Sequence, residues 1–116
     1  MKCLDTLLEE YRIFHDIVEN TPNHFVDMDM RNQRILHGAI GLCTEAAELL
    51  DIFKKHLYGK QKPIDNDETL EHIKEEIGDA FFYLFLMMKV LDYKFKDMLD
   101  YNIDKLSKRY SKETKQ

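Results

Sequence analysis

Apolar residues recur at helical spacing through most of the chain, and four segments carry the pattern. The first, from about Leu4 to Val18, carries Leu4, Leu7, Leu8, Tyr11, Phe14, Ile17 and Val18, and the turn residues Asn20-Thr21-Pro22-Asn23 end it. Residues 21–30 read as a loop or short irregular connection. A longer helix is predicted from about Arg31 to Leu57. Gly38 and Gly41 lie three apart on it and suit either the close approach of a neighbouring backbone or a local bend. Tyr58-Gly59-Lys60 and then Pro63 stop it. Asp65 or Asp67 is expected to cap a third helix, from about Glu68 to Leu91, whose Glu-rich first turns complement the macrodipole. Its second half, Ala80 to Met88, is apolar all round, the pattern of a helix enclosed on every side. A fourth helix, from about Phe95 to Tyr110, presents Phe95, Met98, Leu99, Ile103 and Leu106 on its apolar side. The cations of the tail, Lys108, Arg109, Lys112 and Lys115, complement a helix C-terminus and need no nucleic acid to explain them.

The expected fold is therefore all-α, four antiparallel helices in one bundle-like domain over residues 1–116, with no repeat and no linker. A chain of 116 residues can barely enclose the third helix alone, which argues for a homo-oligomer; tight burial within a monomer is the competing reading. Composition, 44% hydrophobic and 34% charged, is that of a globular rather than a disordered chain. A net charge of −5 argues against general nucleic-acid binding but leaves a nucleotide ligand open, because metal ions supply positive charge locally. The uncharged apolar stretch Ala80 to Met88 is far short of the roughly 20 residues that span a bilayer, so no membrane anchor is expected. Cys3 and Cys43 form neither a C-x-x-C motif nor a zinc spacing with the histidines, and the N-terminus lacks a signal-peptide core. A reducing cytoplasm is the expected location.

Two acidic pairs stand out against this apolar background: Glu45 with Glu48, and Glu76 with Asp79. Each pair is three residues apart, which places both side chains about one turn apart on one helix face. Carboxylates are rarely left in such surroundings without a partner. If the two faces meet, each like-charge pair about 5 Å apart costs roughly 3 kcal/mol at an effective dielectric of about 20. Either some groups protonate or cations occupy the site, and Mg²⁺ (or Mn²⁺) prefers such all-oxygen ligands. The competing reading is a pair of solvated acidic faces. Lys55, seven past Glu48, lies on the same face, where a metal-bound phosphate chain could reach it; a surface lysine is the plainer reading. Tyr83, four past Asp79, is placed to stack on a base or hydrogen-bond, or simply to join the core. Asn102, Lys105 and Arg109 form a polar stripe suited to phosphate and sugar contacts, or to solvent. His37 lies two turns before Glu45 and reads as a structural histidine near the site. No histidine has Glu three residues before it, which removes the usual di-iron bundle motif, and there is no phosphate-binding glycine loop and no nucleophile elbow.

From about Ile35 to Tyr110 the chain resembles the MazG-like all-α nucleoside triphosphate pyrophosphohydrolases. The resemblance lies in Gly41-Leu42-Cys43-Thr44-Glu45-Ala46-Ala47-Glu48-Leu49, in Glu75-Glu76-Ile77-Gly78-Asp79-Ala80, and in Asn102-Ile103-Asp104-Lys105-Leu106-Ser107-Lys108-Arg109-Tyr110. It implies dimers or tetramers and Mg²⁺-dependent hydrolysis of nucleoside triphosphates to monophosphate and pyrophosphate, with Glu45, Glu48, Glu76 and Asp79 holding the metal ions. It further implies that Asn102 and Lys105 contact the nucleotide or its phosphates, with Arg109 and Tyr110 completing the motif. Ala47 and Lys94 depart from the family pattern, where glycine and an acidic helix cap are common. Metal ions would neutralise the triphosphate and activate water. Either Glu45 or Glu48 is expected to accept the water's proton. The alternative is a non-catalytic helical oligomer that binds nucleotides or a protein partner.

Overall fold

A computed structural model describes residues 1–25, 27–59, 64 and 66–114, residues 112–114 by backbone alone. Four helices make up its regular structure: α1 Leu4–Val18, α2 Met30–Tyr58, α3 Asp67–Val90 and α4 Phe95–Thr114. The fold is all-α, with no strand among the described residues. Asp29 caps α2 by accepting the Asn32 amide at 2.7 Å, and the helix begins one residue before the expected start. Asn66 caps α3 by accepting the Thr69 amide at 2.9 Å, so the expected Asp67 cap is corrected. Asp67 is instead the first helical residue, where its charge favours the dipole. The expected breaks at Lys60 and Pro63, and the alternative cap Asp65, lie outside the described residues. The connection before α2 is irregular, as expected, and is held by buried Gln33. Its amide donates to Asn23 Oδ1 and the Met28 carbonyl at 2.6 and 2.7 Å and accepts the Phe25 amide at 3.1 Å.

The packing is organised by α2 and α3, which run antiparallel at close range. Close approach needs the two α2 glycines. A Cβ on Gly38 would stand 2.5 Å from Met87 Cγ and 3.0 Å from the Tyr83 carbonyl, and one on Gly41 would stand 2.2 Å from the Tyr83 ring. Of the two readings of these glycines, close helix approach is the one the structure bears out.

Helix α1 seals one side of that pair through a stripe different from the expected one. Leu8 and Tyr11 are half-buried and His15 is fully buried, whereas Leu4, Leu7, Phe14, Ile17 and Val18 are exposed. Tyr11 meets Phe81 and Phe85 edge-on at 5.3 and 5.1 Å, and His15 stacks on Phe82 at 4.0 Å. Lys89 has only protons to donate, so its contact with His15 Nδ1 at 2.9 Å leaves the imidazole proton on Nε2, which donates to the Phe82 carbonyl at 2.8 Å. Burial, the main cause, holds the His15 pKa below its ordinary value. Just beyond α1, Glu19 accepts two bonds of 2.7 Å from Arg34 of α2 and lies 2.9 Å from Lys89 of α3. The Arg34 fork and then Lys89 lower the Glu19 pKa to about 2. One carboxylate thus ties three helices together.

The bundle expectation is corrected at α4. Its start, Phe95, is as expected, and Phe95 meets Phe81 at 6.1 Å. From Leu99 onward every described side chain is exposed, Leu99, Ile103 and Leu106 included. The reason lies in the preceding turn. Asp92, at φ 55°, bonds to the Lys89 carbonyl and Tyr93 to the Met88 carbonyl, a Schellman close that ends α3 and sends α4 away from the other helices. The radius of gyration is 18.0 Å, against about 13 Å for a compact chain of this length. Nor is α3 enclosed on every side in the single chain: Phe85 and Leu86 are buried, but Ile77 and Leu84, seven apart on one face, are exposed.

Gly41→Ala should destabilise the fold. Displacing the Tyr83 ring costs about 1–3 kcal/mol, more than the roughly 1 kcal/mol that alanine gains in helix propensity. Gly78, where an added methyl would meet nothing within 4 Å, should give the opposite sign as Gly78→Ala. Urea denaturation of the two variants checks both.

Candidate metal centre

The glycine contacts set the register of the α2–α3 seam, and the register brings the acidic residues together. Glu45 lies one turn beyond Gly41 on α2, and Asp79 lies one turn before Tyr83 on antiparallel α3. Glu45, Glu76 and Asp79 therefore converge, each offering a carboxylate oxygen within 4.8 Å of the others. Glu76 is buried, Glu45 half-buried and Asp79 exposed. Oε2 of Glu45 and Oε2 of Glu76 are both buried without a hydrogen-bond partner. Buried polar atoms are seldom left so, and a hard divalent cation with oxygen ligands would satisfy them.

The electrostatics agree with the crowding. The Glu45 pKa is pushed up to about 7, first by loss of solvation, then by the adjacent Glu76 side chain, then by the charges of Glu48, Asp79 and Glu76. Without a cation, Glu45 keeps a proton that an exposed glutamate would lose.

Glu48 stands apart from the three. Its charge still reaches Glu45, and the same three-residue step from Glu76 leaves Asp79 inside the group. Glu48 turns toward a cleft of about 690 Å³ between the end of α2 and the start of α3, and that cleft runs back to Glu76. Lys55 lines it and pairs with Asp51 at 3.0 Å. Ile52, His56, Thr69 and His72 complete much of its wall; the last three carry polar groups that sequence periodicity does not single out. Tyr83 is not in the cleft but in the seam, against Gly41 and 5.8 Å from the His37 ring. His37 accepts or donates a 2.8 Å bond with Thr21, in keeping with a structural role. Asn102, Lys105 and Arg109 lie exposed on α4 and line neither the cleft nor the carboxylate group.

These features define an all-α protein with an acidic centre in a helix seam beside an open cleft. The family model described as the MazG nucleotide pyrophosphohydrolase domain matches residues 34–113, and the chain belongs to that family. The match supports nucleoside triphosphate pyrophosphohydrolysis as the general activity. No curated relative and no solved structure matches the chain significantly. Among the described residues, no helix is long and apolar enough to cross a membrane.

The Glu45 shift has a pH signature. Its folded pKa of about 7 lies above the ordinary 4.5, so the folded state binds the proton more tightly. That contribution is fully present below about pH 4.5 and is lost as pH rises through about 7. His15, its pKa lowered by burial, acts in the opposite sense near its ordinary value. The difference between wild type and Glu45→Gln isolates the glutamate: in EDTA, wild-type stability should fall relative to the variant from about pH 5 to 8. Urea titrations across that range measure it.

Proposed function

We propose that this protein hydrolyses nucleoside triphosphates, ribo- or deoxyribo-, to the monophosphate and pyrophosphate with Mg²⁺, for which Mn²⁺ can substitute. The observation that carries the reading is the convergence of Glu45, Glu76 and Asp79, two of them with buried unpartnered oxygens, beside the cleft. Its volume of about 690 Å³ lies within the range of roughly 300–1,000 Å³ usual for small-molecule sites.

Glu45, Glu76 and Asp79 would hold the cation. Bound there, the cation supplies charge neutralisation and polarisation of the scissile phosphorus. Glu48, at the edge of the cleft and outside the three-carboxylate group, is placed to accept the proton of the attacking water. Lys55 would leave Asp51 to contact the phosphates. Tyr83 serves the site by holding the seam in register rather than by stacking on a base.

The assignment of Asn102, Lys105 and Arg109 to the nucleotide requires α4 to reach a cleft, and assembly would supply that. Leu99, Ile103 and Leu106 on α4, Ile77 and Leu84 on α3, and Phe14 and Ile17 on α1 are apolar surfaces left open in the single chain. They support a homodimer or homotetramer. Cys3 and Cys43, free and exposed, suit a reducing cytoplasm. Removal of aberrant or excess nucleotides is the role this chemistry fits.

Pyrophosphate release from a panel of standard and modified NTPs and dNTPs, with Mg²⁺, Mn²⁺ or EDTA, tests the reading. Release should require the metal, and the preferred nucleotide identifies the substrate. Glu48→Gln should lower kcat by about 10²–10⁴-fold while Mn²⁺ still binds. Absence of release across the panel would contradict the proposal. Light scattering should give a mass above one chain, and Leu106→Asp should reduce both mass and activity.

A further inference from the structure

The buried carboxylate Glu76 has a second neighbour outside the acidic group. His72, one turn earlier on α3, places Nε2 3.4 Å from Glu76 Oε1. The other oxygen, Oε2, is buried with no hydrogen-bond partner. The two side chains differ sharply in environment: that of Glu76 is 8% exposed and that of His72 is 55% exposed. Both line the cleft. A carboxylate has two oxygens to satisfy, and a donor close to Oε1 biases where Oε2 points.

We propose that His72 is a positioning residue of the metal centre, its Nε2–H held toward Glu76 Oε1 so that the carboxylate stays turned toward Glu45 and Asp79. The proposal rests on the reading of those three carboxylates as the cation site. Three considerations support it. The four-residue spacing on one helix fixes the pair without help from any flexible segment. A partner on one oxygen limits rotation of the carboxylate, freedom that metal binding would otherwise have to freeze. His72 also shares the cleft wall with Glu76 and is not one of the three converging carboxylates. Carboxylates that ligate metals are themselves held by outer-shell hydrogen bonds, and losing such a partner weakens metal binding.

Mn²⁺ titration of the full chain, read by electron paramagnetic resonance of the free ion, tests this without recourse to turnover. His72→Ala should weaken Mn²⁺ binding about 10- to 100-fold. His72→Gln, whose terminal amide donates from nearly the same position, should recover most of the loss, and both variants should melt like wild type in EDTA. Glu76→Gln should remove binding. If wild type binds Mn²⁺ and Glu76→Gln does not, yet His72→Ala binds as well as wild type, the positioning role is wrong and the centre stands. If His72→Gln is as weak as His72→Ala, His72 acts by something other than N–H donation, and the proposal fails. If wild type does not bind, or Glu76→Gln binds unchanged, the cation site itself is wrong and the inference falls with it.

Discussion

The structure depends on how closely α2 and α3 approach each other. Gly38 and Gly41 present no side chain to Met87 and Tyr83, so the two backbones close and the residues one turn further along are forced into the same small space. Those residues are acidic. The chain thus uses a favourable contact, ring and thioether against bare helix, to hold an unfavourable one, carboxylate against carboxylate. Glu45 shows the tension most directly, since its pKa is driven up to about 7 by lost solvation and by its neighbours. Repulsion of this kind persists only when the surrounding packing over-determines the geometry, and it makes the site receptive to a cation.

The rest of the chain supports that seam. Glu19 joins Arg34 of α2 to Lys89 of α3, and His15 fills the space beneath Phe82 and Phe85. With α1 fixed this way, the seam cannot open to relieve its charges without breaking a carboxylate clamp whose pKa lies near 2. Helix α4 takes no part in this clamping. It leaves on the turn at Asp92 with an apolar stripe uncovered.

The helices are legible in the sequence because breakers and periodicity are local signals. All four starts, and the ends of α1, α2 and α3, fall within a residue of the expected positions; α4 runs on past Tyr110 to Thr114. The acidic centre is legible for a similar reason, since two carboxylates three apart on apolar helices are visible without knowing the fold. Tertiary choices are not. Both faces of α1 are apolar, and nothing local states that the stripe through Leu8, Tyr11 and His15 is buried in place of the one through Leu7, Phe14 and Ile17. A polar residue set in an apolar stripe at the right spacing, as His15 is, is the available signal. Three-residue spacing groups Glu48 with Glu45 on one face, and only the packing of α2 against α3 decides that Asp79 joins the acidic centre while Glu48 lines the cleft. Glu19, Arg34 and Lys89 are far apart in sequence and give no local sign of their meeting. The outward course of α4 depends on a left-handed aspartate, a conformation that glycine would announce and Asp92 does not.

Relief of the crowding among Glu45, Glu76 and Asp79 by a cation would register in the stability of the fold. The most direct test is the stability of wild type and of the double variant Glu45→Gln/Asp79→Asn at about pH 8, with and without Mn²⁺. The double variant should be the more stable in EDTA and indifferent to the metal. Wild type should gain about 2.7 kcal/mol when Mn²⁺ reaches a hundred times its Kd. A wild type that ignores Mn²⁺, or a double variant less stable than wild type in EDTA, would contradict it.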